Sequence, residues 1–215
     1  MPANEVVVVN YGAGNIRSVA RALEHSGAVA RITADPDVVA TAGRILLPGV
    51  GAFPKAMREL SQLGLDDALR QSVAKGNLLL GICLGMQMLF ESSDEFEVTS
   101  GLGFIPGNVS LIPSEGDAGV LRKVPHIGWN ELVPAAGRNS WGNSLLRRIP
   151  TGSPVYFVHS FMANPTSAAD RIADGIAANL PVTAVVQRDN VFGCQFHPEK
   201  SGVTGLRILE EFLSK

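Results

Sequence analysis

The 215 residues read as one α/β domain, residues 1–215, built on a doubly wound, mainly parallel sheet to which antiparallel hairpins are added. Three observations predict this class. Short β-rich apolar runs alternate with amphipathic helical stretches through the first ninety residues. Beyond Glu91 the pattern changes to short β segments punctuated by Pro and Gly. With 46% hydrophobic residues, a chain of this length can bury a full core without a second domain. No internal repeat, low-complexity tract or interdomain linker divides it.

In chain order, Val6–Asn10 reads as the first strand. Asn15–Ser26 follows as a helix with Ile16, Val19, Ala20 and Leu23 on one face, and Gly27 closes it. Strands are expected near Ala28–Ile32, Arg44–Leu47 and Leu78–Ile82. Helices are expected near Pro54–Leu60, Leu65–Lys75 and Gly85–Glu91. The later β segments fall at Gly101–Gly107, Val109–Pro113, His126–Val133, Pro154–Val158, Ala184–Arg188 and Val191–Phe196. The last helix, Gly202–Ser214, should cover the sheet with Val203, Leu206, Leu209 and Leu213. Between Val133 and Pro154 the chain reads as a variable surface loop, with Trp141 a local packing anchor.

Composition excludes several classes. The 18 basic and 20 acidic residues nearly cancel and no basic run occurs, so no nucleic-acid footprint is expected. Met1 to Glu5 carries no basic leader, the Val6–Val9 run is too short for a signal segment, and no run reaches membrane-spanning length. Two cysteines make no disulfide framework, and Cys194 reads as a buried strand residue. The expected location is cytoplasmic. The four histidines and two cysteines lack metal-ligand spacing, so no metal is expected. Gly12-Ala13-Gly14 follows a strand, but Arg17 stands where a dinucleotide fingerprint needs its third glycine; the segment reads as a tight turn, and no cofactor is expected. His25 reads as a solvated helix residue.

Three segments carry chemistry. In Gly81-Ile82-Cys83-Leu84-Gly85-Met86-Gln87 a buried strand runs through a Cys flanked by small residues into a helix, the pattern of a nucleophile elbow. The sulfur then projects past the sheet at a helix N-terminus, where unpaired N–H groups favour thiolate. Cys83 alone reads equally well as a small hydrophobe. Val191 to Glu199 shifts that balance: an alternating strand ends in His197, with Glu199 two residues beyond. A strand-end His can serve as base to a thiol, and a carboxylate on its other nitrogen fixes the tautomer. In Pro48-Gly49-Val50-Gly51-Ala52-Phe53 two glycines flank one residue after a short apolar run, which permits N–H groups to be aimed at an oxyanion.

Together the elbow, the Pro48–Phe53 turn and the Phe196–Glu199 segment resemble class I, triad-type glutamine amidotransferases. Tyr11–Asn15, Pro125–Asn130 and Tyr156–Phe161 narrow the resemblance to the glutaminase subunits of imidazole glycerol phosphate synthase, from about residue 6 to residue 213. The resemblance implies that Cys83 attacks the glutamine carboxamide, His197 handles protons, Glu199 orients the imidazole, and N–H groups near Val50 and Leu84 hold the oxyanion. It also implies glutamine contacts at Gly49, Gly51, Gln87, Ser160 and Phe161. Released ammonia would pass to a cyclase subunit docked on Tyr11, Asn15, His126, Ile127, Trp129 and Asn130. The Gly49-Val50-Gly51 peptides could remain misaligned until that partner and its nucleotide substrate bind. Other readings share the triad: an amidotransferase of another nitrogen pathway, or a stand-alone cysteine peptidase or γ-glutamyl hydrolase.

Overall fold

The computed structural model describes residues 4–12, 14–115 and 121–215; Met1 to Ala3, and Ala13 of the first turn, lie outside them. The first half alternates β1 (Glu5–Val9), α1 (Ile16–His25), β2 (Val29–Thr33), α2 (Pro36–Thr41), β3 (Arg44–Gly49), α3 (Phe53–Gln62), α4 (Leu65–Ala74) and β4 (Leu78–Cys83). A one-turn helix, α5 (Leu84–Gln87), then leads into β5 (Phe90–Ser93), β6 (Thr99–Ser100) and β7 (Ile105–Leu111). The remainder holds β8 (His126–Glu131), β9 (Val133–Pro134), β10 (Pro154–His159), β11 (Phe161–Pro165), β12 (Arg171–Ala177), β13 (Leu180–Arg188), β14 (Val191–Cys194) and α6 (Gly202–Leu213).

The main sheet has eight strands in the order β2-β1-β3-β4-β14-β13-β12-β9. Its first five are mutually parallel, and the last three add on antiparallel. Strict alternation along the parallel strands sorts side chains to two faces. Val6, Val8, Leu46 and Leu80 pack with α1 and α6 residues such as Leu23 and Phe212. Val7, Val9, Ile45 and Leu47 pack on the other face with Val39, Leu60 and Leu69 from α2, α3 and α4. Each fully buried Leu or Val stabilises by about 1.5–3 kcal/mol, so the doubly wound core holds the strand ends in place. Two smaller sheets, β10-β8 and β11-β7-β5-β6, complete the architecture.

Several elements differ from expectation. The helix expected over Gly85–Glu91 ends at Gln87, and Phe90 begins a strand that pairs with β7. Met86, Met88, Leu89 and Phe90 are all fully buried, so the run carries no amphipathic period to separate helix from strand. The two β segments expected at Gly101–Gly107 and Val109–Pro113 are one strand, β7, paired antiparallel with β11 through Gly107. Besides β5, the strands β6, β11 and β12 and the helix α2 were not anticipated. α2 carries legible signals, since Asp35 caps it by accepting from Asp37 N–H at 3.0 Å and Pro36 opens it. β12 is masked in sequence by Asp174, which is buried and paired with Arg171 at 2.6 Å.

Trp141 is an anchor as expected, its indole N–H donating to Ile149 O at 2.5 Å. The segment around it is not a surface loop, because Leu145, Leu146 and Ile149 are buried in the core of the α1/α6 face. Val203, expected against the sheet, is 65% exposed, while Ile208, Leu209 and Phe212 carry that face of α6. His25 is exposed and Cys194 fully buried. No described helix is long and apolar enough to cross a membrane.

Candidate active site

β3, β4 and β14 are neighbours in the sheet, and their carboxyl ends lie level: Gly49 is registered with Cys83, and Ile82 with Cys194. The three chemistry-bearing segments of the sequence therefore meet at one edge. Cys83 itself has φ 55° and ψ −112°, a conformation that L-residues rarely adopt and that marks a strained turn. Glycines make the turn possible. A Cβ at Gly85 would lie 1.9 Å from Leu47 O, and one at Gly81 would lie 2.6 Å from Gly85 O. The elbow thus rests directly on the backbone of β3.

His197 follows β14 and is fixed by its own N–H, which donates to Tyr156 O at 3.0 Å. Its Nδ1 lies 2.7 Å from Glu199 Oε1, and the two side chains are 2% and 1% exposed. A carboxylate oxygen only accepts, so Nδ1 carries a proton and Nε2 is the nitrogen left for chemistry. Burial pulls the His197 imidazolium down, but polar contact with Cys83, the bond to Glu199 and the charges of both outweigh it and hold the group up to about 9. No hydrogen bond of ordinary geometry joins Nε2 to the thiol, and Nε2 has no partner among the described residues. Catalytic contacts of this kind are often long before substrate binds.

The glycine turn lies beside the elbow. A Cβ on Gly49 would sit 2.7 Å from Gly85 N and 2.9 Å from Leu84 Cβ, so both expected oxyanion segments touch. Gly51 has φ 100°, which favours glycine, and Val50 is 41% exposed.

A cavity of about 320 Å³ opens over these groups. Of the expected residues, Val50, Gly51, Cys83, Leu84, Gln87, Ser160, Phe161 and His197 line it, whereas Gly49 lies beneath and Glu199 behind the imidazole. Gln87 spends its amide hydrogens internally, donating to Phe161 O at 2.9 Å and Gln195 Oε1 at 3.0 Å. A larger, shallower depression of about 440 Å³ near Arg138 and Arg188 lies away from the thiol. Its guanidinium groups are already engaged, by Arg171 O and Ala169 O, and by Asp170.

Four residues of the site were not anticipated in these places. Glu95 lines the cavity while accepting from Phe53 N–H at 2.7 Å. His159 lines it too, and Gln195 places its amide nitrogen 3.9 Å from Cys83 Sγ. Asn15, expected at a docking face, instead donates from Nδ2 to Glu199 Oε1 at 2.5 Å. Tyr11, also expected there, is 2% exposed, and its hydroxyl donates to Pro48 O at 2.9 Å beneath the glycine turn. Strand alternation divides β8 likewise: Ile127 and Trp129 are 58% and 59% exposed, while His126 and Asn130 point inward. Among the described residues, no group of three or more His, Cys, Asp or Glu side chains could hold a metal ion.

Residues 7–215 match the family described as glutamine amidotransferase class-I. The imidazole glycerol phosphate synthase subunit HisH 1 of Legionella pneumophila (strain Lens) is 45% identical, over 98% of this chain and 99% of that protein. Subunit HisH of Streptococcus sanguinis (strain SK36) is 48% identical, over 96% and 94%. A crystal structure of a glutamine amidotransferase superposes with TM-score 0.71 at 18% identity, covering 97% of this chain and 99% of the other. The structure of PurLQS from Thermotoga maritima superposes with TM-score 0.66 at 18% identity, covering 98% and 97%. At such identities the structural matches establish the fold alone.

Proposed function

The chain belongs to the class I glutamine amidotransferase family, and from that premise we propose that it is the glutaminase subunit of an imidazole glycerol phosphate synthase, serving histidine biosynthesis in the cytoplasm. The observation that carries the chemistry is the strained Cys83 elbow, sharing one cavity with His197 while Glu199 holds the far ring nitrogen.

Glutamine enters with its side-chain carboxamide at Cys83 and its α-ammonium toward Glu95, the only carboxylate on the lining among the described residues. Cys83 Sγ attacks the amide carbon, and the C=O electron pair moves onto oxygen, where N–H groups of the Val50 turn and Leu84 stabilise it. His197 Nε2 delivers its proton to the amide nitrogen, the C–N bond breaks and ammonia leaves. The neutral imidazole then takes a proton from water, the hydroxide attacks the thioester, and the C–S bond breaks to give glutamate and free Cys83. Glu199 keeps Nδ1 protonated in each step.

Free ammonia would protonate in water, so hydrolysis serves synthesis only if a cyclase subunit receives the product directly. Ile127 and Trp129 support such a partner: both are large, apolar and more than half exposed on the outer face of β8, and Trp129 is braced edge-on by Tyr156 at 6.0 Å. The test is glutamate release by the purified chain, alone and with the matching cyclase plus its nucleotide ligand, with Cys83→Ala as control. Strong stimulation by the loaded cyclase, absent in Cys83→Ala, is expected. Good turnover alone with no response to the partner would overturn the assignment.

A further inference from the structure

While β8 shows Ile127 and Trp129 to solvent, its inward residues begin a chain of hydrogen bonds whose sense can be worked out from either end. At one end lies the backbone of Ile176. Its N–H donates to Asn130 Oδ1 at 3.3 Å and its carbonyl accepts from Asn130 Nδ2 at 2.5 Å, which fixes the amide orientation. The same Nδ2 lies 3.3 Å from His126 Nε2. A donor faces that nitrogen, so Nε2 is unprotonated and the His126 proton sits on Nδ1. His126 Nδ1 is 3.2 Å from His159 Nε2, which must then accept, leaving the His159 proton on Nδ1. His159 Nδ1 lies 2.8 Å from Phe161 O, which can only accept.

Starting from Phe161 O gives the same answer, so the arrangement is over-determined. Both imidazoles must be neutral for it to hold, and burial acts in that direction. Desolvation lowers His126, and it lowers His159 to about 4 despite the bond to Phe161. His126 is further held by stacking on Phe157, with ring centroids 4.9 Å apart and planes 25° from parallel.

Beyond Phe161 the chain enters the catalytic cavity. The Phe161 carbonyl that accepts from His159 also accepts from Gln87, whose amide reaches Gln195 beside the Cys83 sulfur. We propose that His126 and His159 are a positioning pair: a neutral link with one allowed tautomer each, which fixes the Phe161 carbonyl and Gln87 for glutamine and ties that wall of the pocket to the strand bearing Trp129. Neither imidazole touches the reacting atoms, since every ring nitrogen is already committed. The identity of the ligand rests on the proposed function, whereas the sense of the bonds does not.

Two measurements test the pair. Nitrogen-15 NMR of the imidazole rings in the wild-type chain at pH 7 should find both neutral and both protonated on Nδ1. A ring protonated on Nε2, or a cationic ring, overturns the proposal whether or not any variant folds. The second measurement is a double-mutant cycle on glutaminase kinetics in the complex. His126→Phe keeps the stack on Phe157 but removes both nitrogens; His159→Asn keeps a donor for Phe161 O but removes the acceptor for His126. Each should raise KM for glutamine about 3- to 10-fold, the loss of the hydrogen bond between the two rings, with a smaller change in kcat. Because both cut the same link, the double variant should be no worse than the more affected single one. Folded variants whose KM stays within twofold of wild type, or whose effects multiply independently, overturn the proposal. A wild-type complex that hydrolyses no glutamine would instead strike at the functional assignment, leaving the NMR result to decide the bond chain.

Discussion

Asn15→Gly tests how much of the triad's alignment comes from outside the triad. Asn15 Nδ2 and His197 Nδ1 both donate to Glu199 Oε1, at 2.5 Å and 2.7 Å. Asn15 has φ 71°, which glycine adopts without strain, so the substitution removes the amide and spares the turn. A hydrogen bond to a charged group contributes about 1.5–3 kcal/mol. With the Glu199 side chain 1% exposed, water cannot readily take the lost donor's place. The expected fall in glutaminase kcat/KM is therefore about 10- to 150-fold at one decade per 1.36 kcal/mol. Asn15→Asp keeps the shape but sets a second carboxylate beside Glu199. His197 is raised from 6.5 to about 9, so its imidazolium, the proposed proton donor to the departing amide nitrogen, is present below that pH and lost as pH rises through it. Any stability it contributes follows the same window, full below 6.5 and lost toward 9. Added negative charge raises the group further, and the alkaline limb of kcat/KM should move to higher pH in Asn15→Asp. Steady-state glutamate release across pH 6–10 reads both effects. An Asn15→Gly enzyme within twofold of wild type, with the Asn15→Asp limb unmoved, would refute the reasoning.

Two further outcomes are expected. Gly49→Ala would put a Cβ 2.7 Å from Gly85 N and 2.8 Å from the Tyr11 hydroxyl; displacing the elbow backbone should lower kcat about 100-fold, and near-normal turnover in a folded variant would contradict the contact. Glu211, 1% exposed, sits 3.0 Å from Arg147, 3.4 Å from Arg148 and 4.0 Å from Lys215. The two arginines remain half-solvated when it is neutralised, so Glu211→Gln should cost only about 1–2 kcal/mol, a fall in melting temperature of about 2–8 °C; an unchanged melt would mean that this cluster does not hold α6.

Legibility in the sequence followed the reach of the physical signal. Cys83 and His197 could be found because the one ends a buried strand and the other closely follows one, so a backbone signal and a reactive side chain coincide within a few residues. The parallel half of the sheet was legible for the same reason, since β1, β3 and β4 are continuous apolar runs. Asn15 gave no such sign. Its partner Glu199 lies 184 residues away, and a polar residue at a helix start is ordinarily a cap, a role its side chain does not play here. Glu95 was hidden in the acidic stretch Asp94 to Glu97, which reads as solvated surface. His159 did carry a usable signal: the alternation along β10 buries Val155, Phe157 and His159 together, and a buried His at an apolar position needs partners. β8 was read as one docking surface because a motif in one-dimensional sequence has no inside, whereas a strand sends alternate residues to opposite faces.

The sheet order accounts for the nucleophile's neighbours but not for their alignment. β4 lies between β3, which ends in the glycine turn, and β14, which leads to His197, so adjacency alone brings the proposed oxyanion donors and the proposed base to opposite sides of Cys83. What ties the two flanks together is the connection between β1 and α1, on the far side of β3. From it Tyr11 holds Pro48 O, and Asn15 holds Glu199 Oε1. In the same stretch, a Cβ at Gly14 would lie 3.4 Å from Val50 Cγ2. One short stretch therefore contacts the oxyanion side through Tyr11 and Gly14 and the base side through Asn15. The two flanks cannot shift independently while those contacts stand, and Tyr11, Gly14 and Asn15, beside what looks like a failed dinucleotide turn in the sequence, brace the candidate active site in the fold.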